Sequence, residues 1–175
     1  MIPMPSWLPA LVRRTRREYF ADFWITPPIT AALAVYSLSR GFDWWWAIAF
    51  VAGWFAWTLY EYAVHRISHH APWISDLHWL HHRNQKDYIA LHPALTLLNY
   101  AVIWLLFGFD AAPFAIGFSV GYVVYAGLHT AFHYAWIKDG ELLWPLKQHH
   151  VAHHRYHDRC FGVSTKLWDR VFRTI

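Results

Sequence analysis

"HRISHHAPWISDLHWLHH", residues 65–82, places six histidines in eighteen positions directly after an apolar run at 44–64. A segment that leaves a hydrophobic helix and turns at once into imidazole has to be read against both lipid and metal. The run is nearly uncharged until Glu61, and at 1.5 Å rise per residue about 20 residues cross a hydrocarbon core of roughly 30 Å. Residues 44–64 are therefore read as a membrane span that opens into a metal-binding block.

The composition extends this reading to the whole chain. Of 175 residues 57% are apolar, with 13 Trp, 12 Phe and 10 Tyr, more apolar surface than a soluble protein of this size can hide. Three further apolar segments lie at about 23–39, 93–107 and 112–136. The first has Pro27-Pro28 near its start, where missing amide donors cost least. "SRGFDW" links the first two segments and "GFD" at 108–110 the last two. The expected architecture is an all-α integral membrane protein with four transmembrane helices in two hairpins (about 23–39, 44–64, 93–107 and 112–136). A cytosolic, histidine-rich helical cap is expected at 65–92 and 137–172. Residues 1–22 read as an N-terminal interfacial helix, with Trp7 and Leu8 at the headgroups and arginines facing phosphate. A soluble helical bundle is disfavoured, because 44–64 and 112–136 would be apolar around most of their circumference.

If both hairpins enter and return, every Lys and Arg except Arg40 falls on one side. The positive-inside rule then puts both termini and the histidines in the cytoplasm, as in an inner-membrane protein of a bacterium. The N-terminus is a poor signal peptide, since a short apolar stretch precedes Arg13, Arg14, Arg16 and Arg17. The net charge of +4 comes from charges flanking the spans, with no basic stripe suited to nucleic acid. Cys160 alone supplies neither a disulfide framework nor a thiolate metal set. The anomaly is 14 histidines, whose neutral imidazoles ligate iron, zinc, copper or nickel.

They come in four groups: His65 with His69 or His70; His78, His81 and His82 in "HWLHH"; His129 and His133 in "HTAFH"; and His150, His153 and His154 in "HVAHH". Helix positions i, i+3 and i+4 share a face, so each HxxHH is expected to aim three rings at one region. Ten candidates are too many for one ion and suit two. Spacing does not choose between His69 and His70. The i+4 rule favours His69, whereas Pro72 distorts the helix by residue 71 and lets His70 turn inward. His92, His149 and His157 are surplus to the pattern. Glu61, one turn before His65, and Asp76, two residues before His78, are carboxylates able to take the second N–H of a bound imidazole. Glu61 is the stronger of the two, because an acid near the end of an apolar helix needs a partner. A membrane metal transporter would carry ionisable residues in mid-membrane, and 23–39 and 93–107 have none. A zinc hydrolase using metal-activated water would need neither reductant nor O2.

Taken together, "HRISHH" at 65–70, "HWLHH" at 78–82, "YVVYAGLHTAFH" at 122–133, "HVAHH" at 150–154 and "FGVSTKLWDRVF" at 161–172 resemble the membrane fatty acid hydroxylase and sterol desaturase superfamily, over roughly residues 20–172. The resemblance implies a four-helix membrane bundle with a cytosolic domain holding two Fe2+ ions. It selects His70 as the partner of His65 and assigns His78, His81, His82, His129, His133, His150, His153 and His154 as the other ligands. Tyr122 and Tyr125 fall in its tyrosine-rich box and, with Trp136, would line the lipid route. No catalytic residue beyond the ligands is assigned. The implied reaction is O2-dependent hydroxylation of an unactivated C–H bond of a membrane lipid, first of all a fatty acyl chain. Desaturation, or a sterol or carotenoid substrate, is the alternative. Iron changes oxidation state for such chemistry and zinc does not. Ala126 follows Tyr125 where fatty acid 2-hydroxylases usually have Asp. A fused cytochrome b5-like domain does not fit in 175 residues, so a separate electron donor of cytochrome b5 or ferredoxin type is expected. Lys147, Arg155 and Arg159 offer it, or a lipid headgroup, a basic contact. Gly121 and Gly127 would permit close helix approach.

Overall fold

A computed structural model of the protein describes residues 15–72, 74–86 and 108–175, with Ser6, Tyr88, Leu98, Ala101, Val102 and Leu105. The described elements are helical: α1 (Arg16–Tyr19), α2 (Ala21–Ser39), α3 (Trp44–Ser68), α4 (Ile74–Arg83), a 3-10 turn (Phe109–Ala111), α5 (Ala112–Tyr134), α6 (Trp144–Tyr156) and α7 (Leu167–Val171). Among the described residues the chain divides into two compact units. One is built on Thr58–Asp87 and Val124–Ile175, the other on Pro5–Trp57 and Tyr88–Val123. Helices α3 and α5 contribute to both.

The four-span, two-hairpin expectation is corrected here. Among the described residues two helices, α3 and α5, are long and apolar enough to cross a membrane. Helix α2 has 19 residues but carries Asp22, buried Thr26, Thr30 and Ser37, and both prolines inside it, and it falls short in apolarity. It begins at Ala21 rather than near residue 23, so Pro27 and Pro28 lie past the first turn, where they cannot donate to the carbonyls of Phe23 and Trp24. The expected span at 93–107 lies largely outside the described residues. So does most of the interfacial helix at 1–22, of which α1 is seen, capped by Thr15 and Glu18 in reciprocal hydrogen bonds.

In the unit that holds the start of α3 and of α5, glycines set the crossing. A Cβ on Gly53 would overlap the carbonyl of Phe114, and one on Gly117 the carbonyl of Phe50. The backbones therefore touch where neither residue has a side chain, as membrane helices often do. Gly121 accommodates the Trp57 ring, whereas Gly127 faces open space. Trp57 packs edge-on to Phe118 and Tyr122, with centroids 5.0 and 5.2 Å apart. Tyr122 donates to Asp22 at 2.5 Å, and Trp46 donates to Ser37 at 2.8 Å. Trp44 and Trp45 remain 81% and 75% exposed. Such a surface suits hydrocarbon and its aromatic interface rather than water.

The other unit is the histidine-rich one. Helix α3 runs one turn beyond the expected end at residue 64, which keeps His65 helical. Helix α6 starts with Pro145 in its first turn and stops at His157, whose left-handed φ of 57° lets its amide bond His153 O. The chain then passes through 158–166 into α7.

Candidate metal centre

The histidines gather into two clusters of five. His65, His69, His78, His82 and His153 form the first, and His81, His129, His133, His150 and His154 the second; within each, the ligand nitrogens lie within 4.8 Å of one another. The two HxxHH helices are shared between them reciprocally. From α4, His78 and His82 enter the first cluster and His81 the second, while from α6, His150 and His154 enter the second and His153 the first. Sequence reasoning aimed each trio at one region, and the geometry corrects this. At about 100° per residue, the i+3 and i+4 positions are themselves about 100° apart around the axis. A helix wedged between two sites thus sends an i, i+4 pair one way and the i+3 ring the other.

His70 differs from its expected place. Helix α3 closes through His69 N–H to Arg66 O and His70 N–H to Ile67 O. His69 thereby stays on the face of His65, and its Nε2 lies 3.1 Å from His153 Nε2. His70 enters neither cluster. The distortion anticipated from Pro72 begins too late to rotate the i+4 ring away.

The donor set fits a borderline transition-metal ion such as iron or zinc. Every ligand atom is an imidazole nitrogen. In the first cluster His78 and His82 present Nε2 atoms 3.0 Å apart. In the second, His150 Nε2 lies 2.9 Å from that of His133 and 3.1 Å from that of His154. His81 Nε2 is buried and lacks a hydrogen-bond partner among the described residues, an arrangement that costs free energy unless a cation takes the lone pair. Burial, reinforced by neighbouring imidazoles, lowers the pKa of His69 to about 4, of His81 to about 3 and of His82 to about 2. His78, His150 and His154 are lowered well below the ordinary value for the same reasons. All are neutral at pH 7, the form in which an imidazole can bind a metal.

Around the first cluster the outward nitrogens are anchored. His65 Nδ1 donates to Phe161 O at 2.6 Å and His153 Nδ1 to Arg159 O at 2.9 Å. A carbonyl can only accept, so both rings are Nδ1–H tautomers with a bare lone pair on Nε2. Ser68 Oγ reaches His78 Nδ1 at 3.2 Å, and His157 Nδ1 meets His82 Nδ1 at 2.9 Å. Of the expected supporting groups, Glu61 is buried but serves the backbone. It accepts from Val163 N–H at 2.6 Å, Ser164 N–H at 2.8 Å and Ser164 Oγ at 2.5 Å. Asp76 sits in the exposed first turn of α4. Tyr125 stacks on His129, centroids 5.7 Å apart, Tyr122 holds Asp22, and Trp136 is 85% exposed past the end of α5. His92 lies outside the described residues. Sequence reasoning missed Asp169 and left His149 unassigned; the two are hydrogen-bonded at 2.9 Å. Nothing about Asp169 but its place at the end of "FGVSTKLWD" marked it.

A family model described as "Fatty acid hydroxylase" matches residues 50–174. The chain is 34% identical over 144 residues to "Fatty acid 2-hydroxylase" of Rattus norvegicus, covering 72% of this chain and 39% of that protein. With "Dihydroceramide fatty acyl 2-hydroxylase FAH2" of Arabidopsis thaliana it shares 30% over 178 residues, 92% of this chain and 75% of the relative. The chain thus spans less than half the length of the mammalian relative and most of the plant one. Its fold superposes on a solved structure, "Full length scs7p (only hydroxylase domain visible)", with a TM-score of 0.74 at 24% identity, over 97% of this chain and 69% of that one. Helices α3 and α5, which with the turn after α3 carry four of the clustered rings, are long and apolar enough for a bilayer, as befits a membrane-associated protein. By the extent of these matches and by its paired histidine clusters, the chain belongs to the fatty acid hydroxylase family.

Proposed function

We propose that the protein is a non-haem diiron hydroxylase that inserts oxygen from O2 into an unactivated C–H bond of the fatty acyl chain of a membrane lipid. The observation that carries this reading is the pair of all-imidazole clusters, five nitrogens each, in ring contact through His82 and His154. His65, His69, His78, His82 and His153 would hold one iron, and His81, His129, His133, His150 and His154 the other. Two ferrous ions in such sites would supply the redox capacity that zinc lacks.

The chain's own residues hold the rings neutral by burial and fix tautomers through Phe161 O and Arg159 O. Overall, R–H, O2, two electrons and two protons give R–OH and water. The electrons are assigned to a separate acidic redox protein of cytochrome b5 or ferredoxin type. Lys147, Arg155 and Arg159 supply basic charge on the histidine-rich unit for such a contact. The substrate class rests on the relatives' names, which specify fatty acyl and dihydroceramide fatty acyl hydroxylation. A cytoplasmic placement of the metal centre is supported by the basic residues that neighbour the histidines in sequence, among them Arg66, Arg83, Lys147, Arg155 and Arg159.

The test is anaerobic reconstitution of the purified protein with Fe(II), followed by reductant and 18O2 in lipid vesicles. One 18O atom appears in a hydroxylated acyl chain, and chelation or omission of reductant abolishes it. Turnover of lipid without O2, or vesicle uptake of metal without lipid oxidation, overturns the reading.

A further inference from the structure

Asp169 touches none of the ten clustered rings, yet two rings of the first cluster are aimed from it. It is fully buried and accepts four hydrogen bonds: from Phe161 N–H at 2.9 Å, Gly162 N–H at 2.8 Å, His149 Nε2 at 2.9 Å and Thr174 Oγ1 at 2.8 Å. Burial pushes its pKa up, but the His149, Gly162, Thr174 and Phe161 donors outweigh burial and hold it below the ordinary carboxylate value. It is an ionised anchor.

The segment it anchors supplies both ring-fixing carbonyls. Phe161, whose amide Asp169 holds, gives its carbonyl to His65; Arg159, two residues earlier, gives its carbonyl to His153. Glu61 pins the next two residues, Val163 and Ser164. Between the two acids sits Gly162, where a Cβ would overlap Thr165 O and stand 2.9 Å from Asp169 Oδ2. A carboxylate can approach this backbone so closely only at glycine. In the second cluster, by contrast, His150 Nδ1 and His154 Nδ1 are buried with no hydrogen-bond partner among the described residues.

We propose that Asp169 is a positioning residue that makes the two metal sites inequivalent: through residues 159–162 it locks His65 and His153 with Nε2 free to bind, so the first cluster holds its ion more tightly than the second. A ring fixed by a carbonyl is a better and more rigid ligand than one whose outward N–H is unpaired. This rests on the reading of both clusters as metal sites, and the experiment separates the two ideas.

The full chain in lipid nanodiscs is loaded with Zn2+ and challenged with excess chelator. The wild type binds two zinc ions and releases them in two phases of equal amplitude. Asp169→Asn accelerates the slow phase about 10- to 100-fold and leaves the fast phase within about twofold, with unchanged far-UV circular dichroism. Zinc binding near zero in the wild type overturns the metal reading itself. Two ions leaving in a single phase, or a variant that speeds both phases alike, overturns the positioning role. Should Asp169→Asn not fold, 15N-histidine spectra of the zinc-loaded wild type decide the matter. Two zinc-bound rings show Nδ1–H protons protected from solvent exchange, and a uniform exchange rate across the bound rings overturns the proposal.

Discussion

His82 and His154 stack face to face, ring centroids 4.2 Å apart and planes 24° from parallel, although they belong to different clusters. Each ring is a ligand candidate on one side and a wall of the other site, so the two centres share structure. His82→Ala is expected to lower metal content below one equivalent of the two that the clusters can hold, because it removes a nitrogen from the first site and packing from the second. Metal analysis of the purified variant checks this. Clean loss of a single equivalent would show the sites to be independent.

The choice between neighbouring histidines is decided by the same assay. His69 Nε2 lies 3.1 Å from His153 Nε2, whereas His70 enters neither cluster. His69→Ala is expected to weaken metal binding by roughly 10-fold or more, a lost ligand costing at least as much as a lost supporting contact. His70→Ala should leave binding within about twofold, as surface substitutions do. The reverse order of effects contradicts the arrangement at the end of α3.

How much of this was legible in the sequence follows from which physical signal each feature has. The histidines announced themselves by type and spacing, and nine of the ten expected rings lie in the clusters. Their division into two sets did not, because it depends on what flanks α4 and α6 rather than on either helix alone. His69 against His70 turned on whether α3 ended before or after the turn at 66–70, and boundaries of that kind are set by tertiary contacts. Asp169 was invisible since a carboxylate that holds backbone amides carries no spacing signature. The count of spans was overestimated because apolar letters at 23–39 mask Thr26, Thr30 and Ser37, which are buried polar positions in α2.

Acid stability follows from burial. His69 and His153 titrate near 4 rather than at the ordinary 6.5, chiefly because burial disfavours their charged forms. The unfolded chain therefore binds more protons than the folded one between those values, and stability rises with pH across that interval. The stabilising contribution of the neutral rings is fully present above pH 6.5 and is lost as pH falls through about 4. The melting temperature of the metal-free protein is expected to be level above pH 6.5 and to decline steadily below it. A profile that stays level down to pH 4 would mean the rings are hydrated and the clusters open.

Glycine substitutions separate backbone contact from helix propensity. Gly53 of α3 and Gly127 of α5 are both mid-helix, and replacing an exposed helical glycine by alanine ordinarily stabilises by about 0.5 to 1 kcal/mol. At Gly127 a Cβ meets nothing within 4 Å, so Gly127→Ala is expected to raise the thermal midpoint slightly. At Gly53 the new methyl would overlap Phe114 O, and the opposing Gly117 already faces Phe50 O. The helices can separate only by losing contact on both sides of the crossing. Gly53→Ala is therefore expected to destabilise by about 1 to 3 kcal/mol, the range for overpacking a tight contact, and Gly53→Leu by more. Thermal unfolding in a fixed detergent measures the pair. Equal shifts for Gly53→Ala and Gly127→Ala would place the α3–α5 crossing elsewhere.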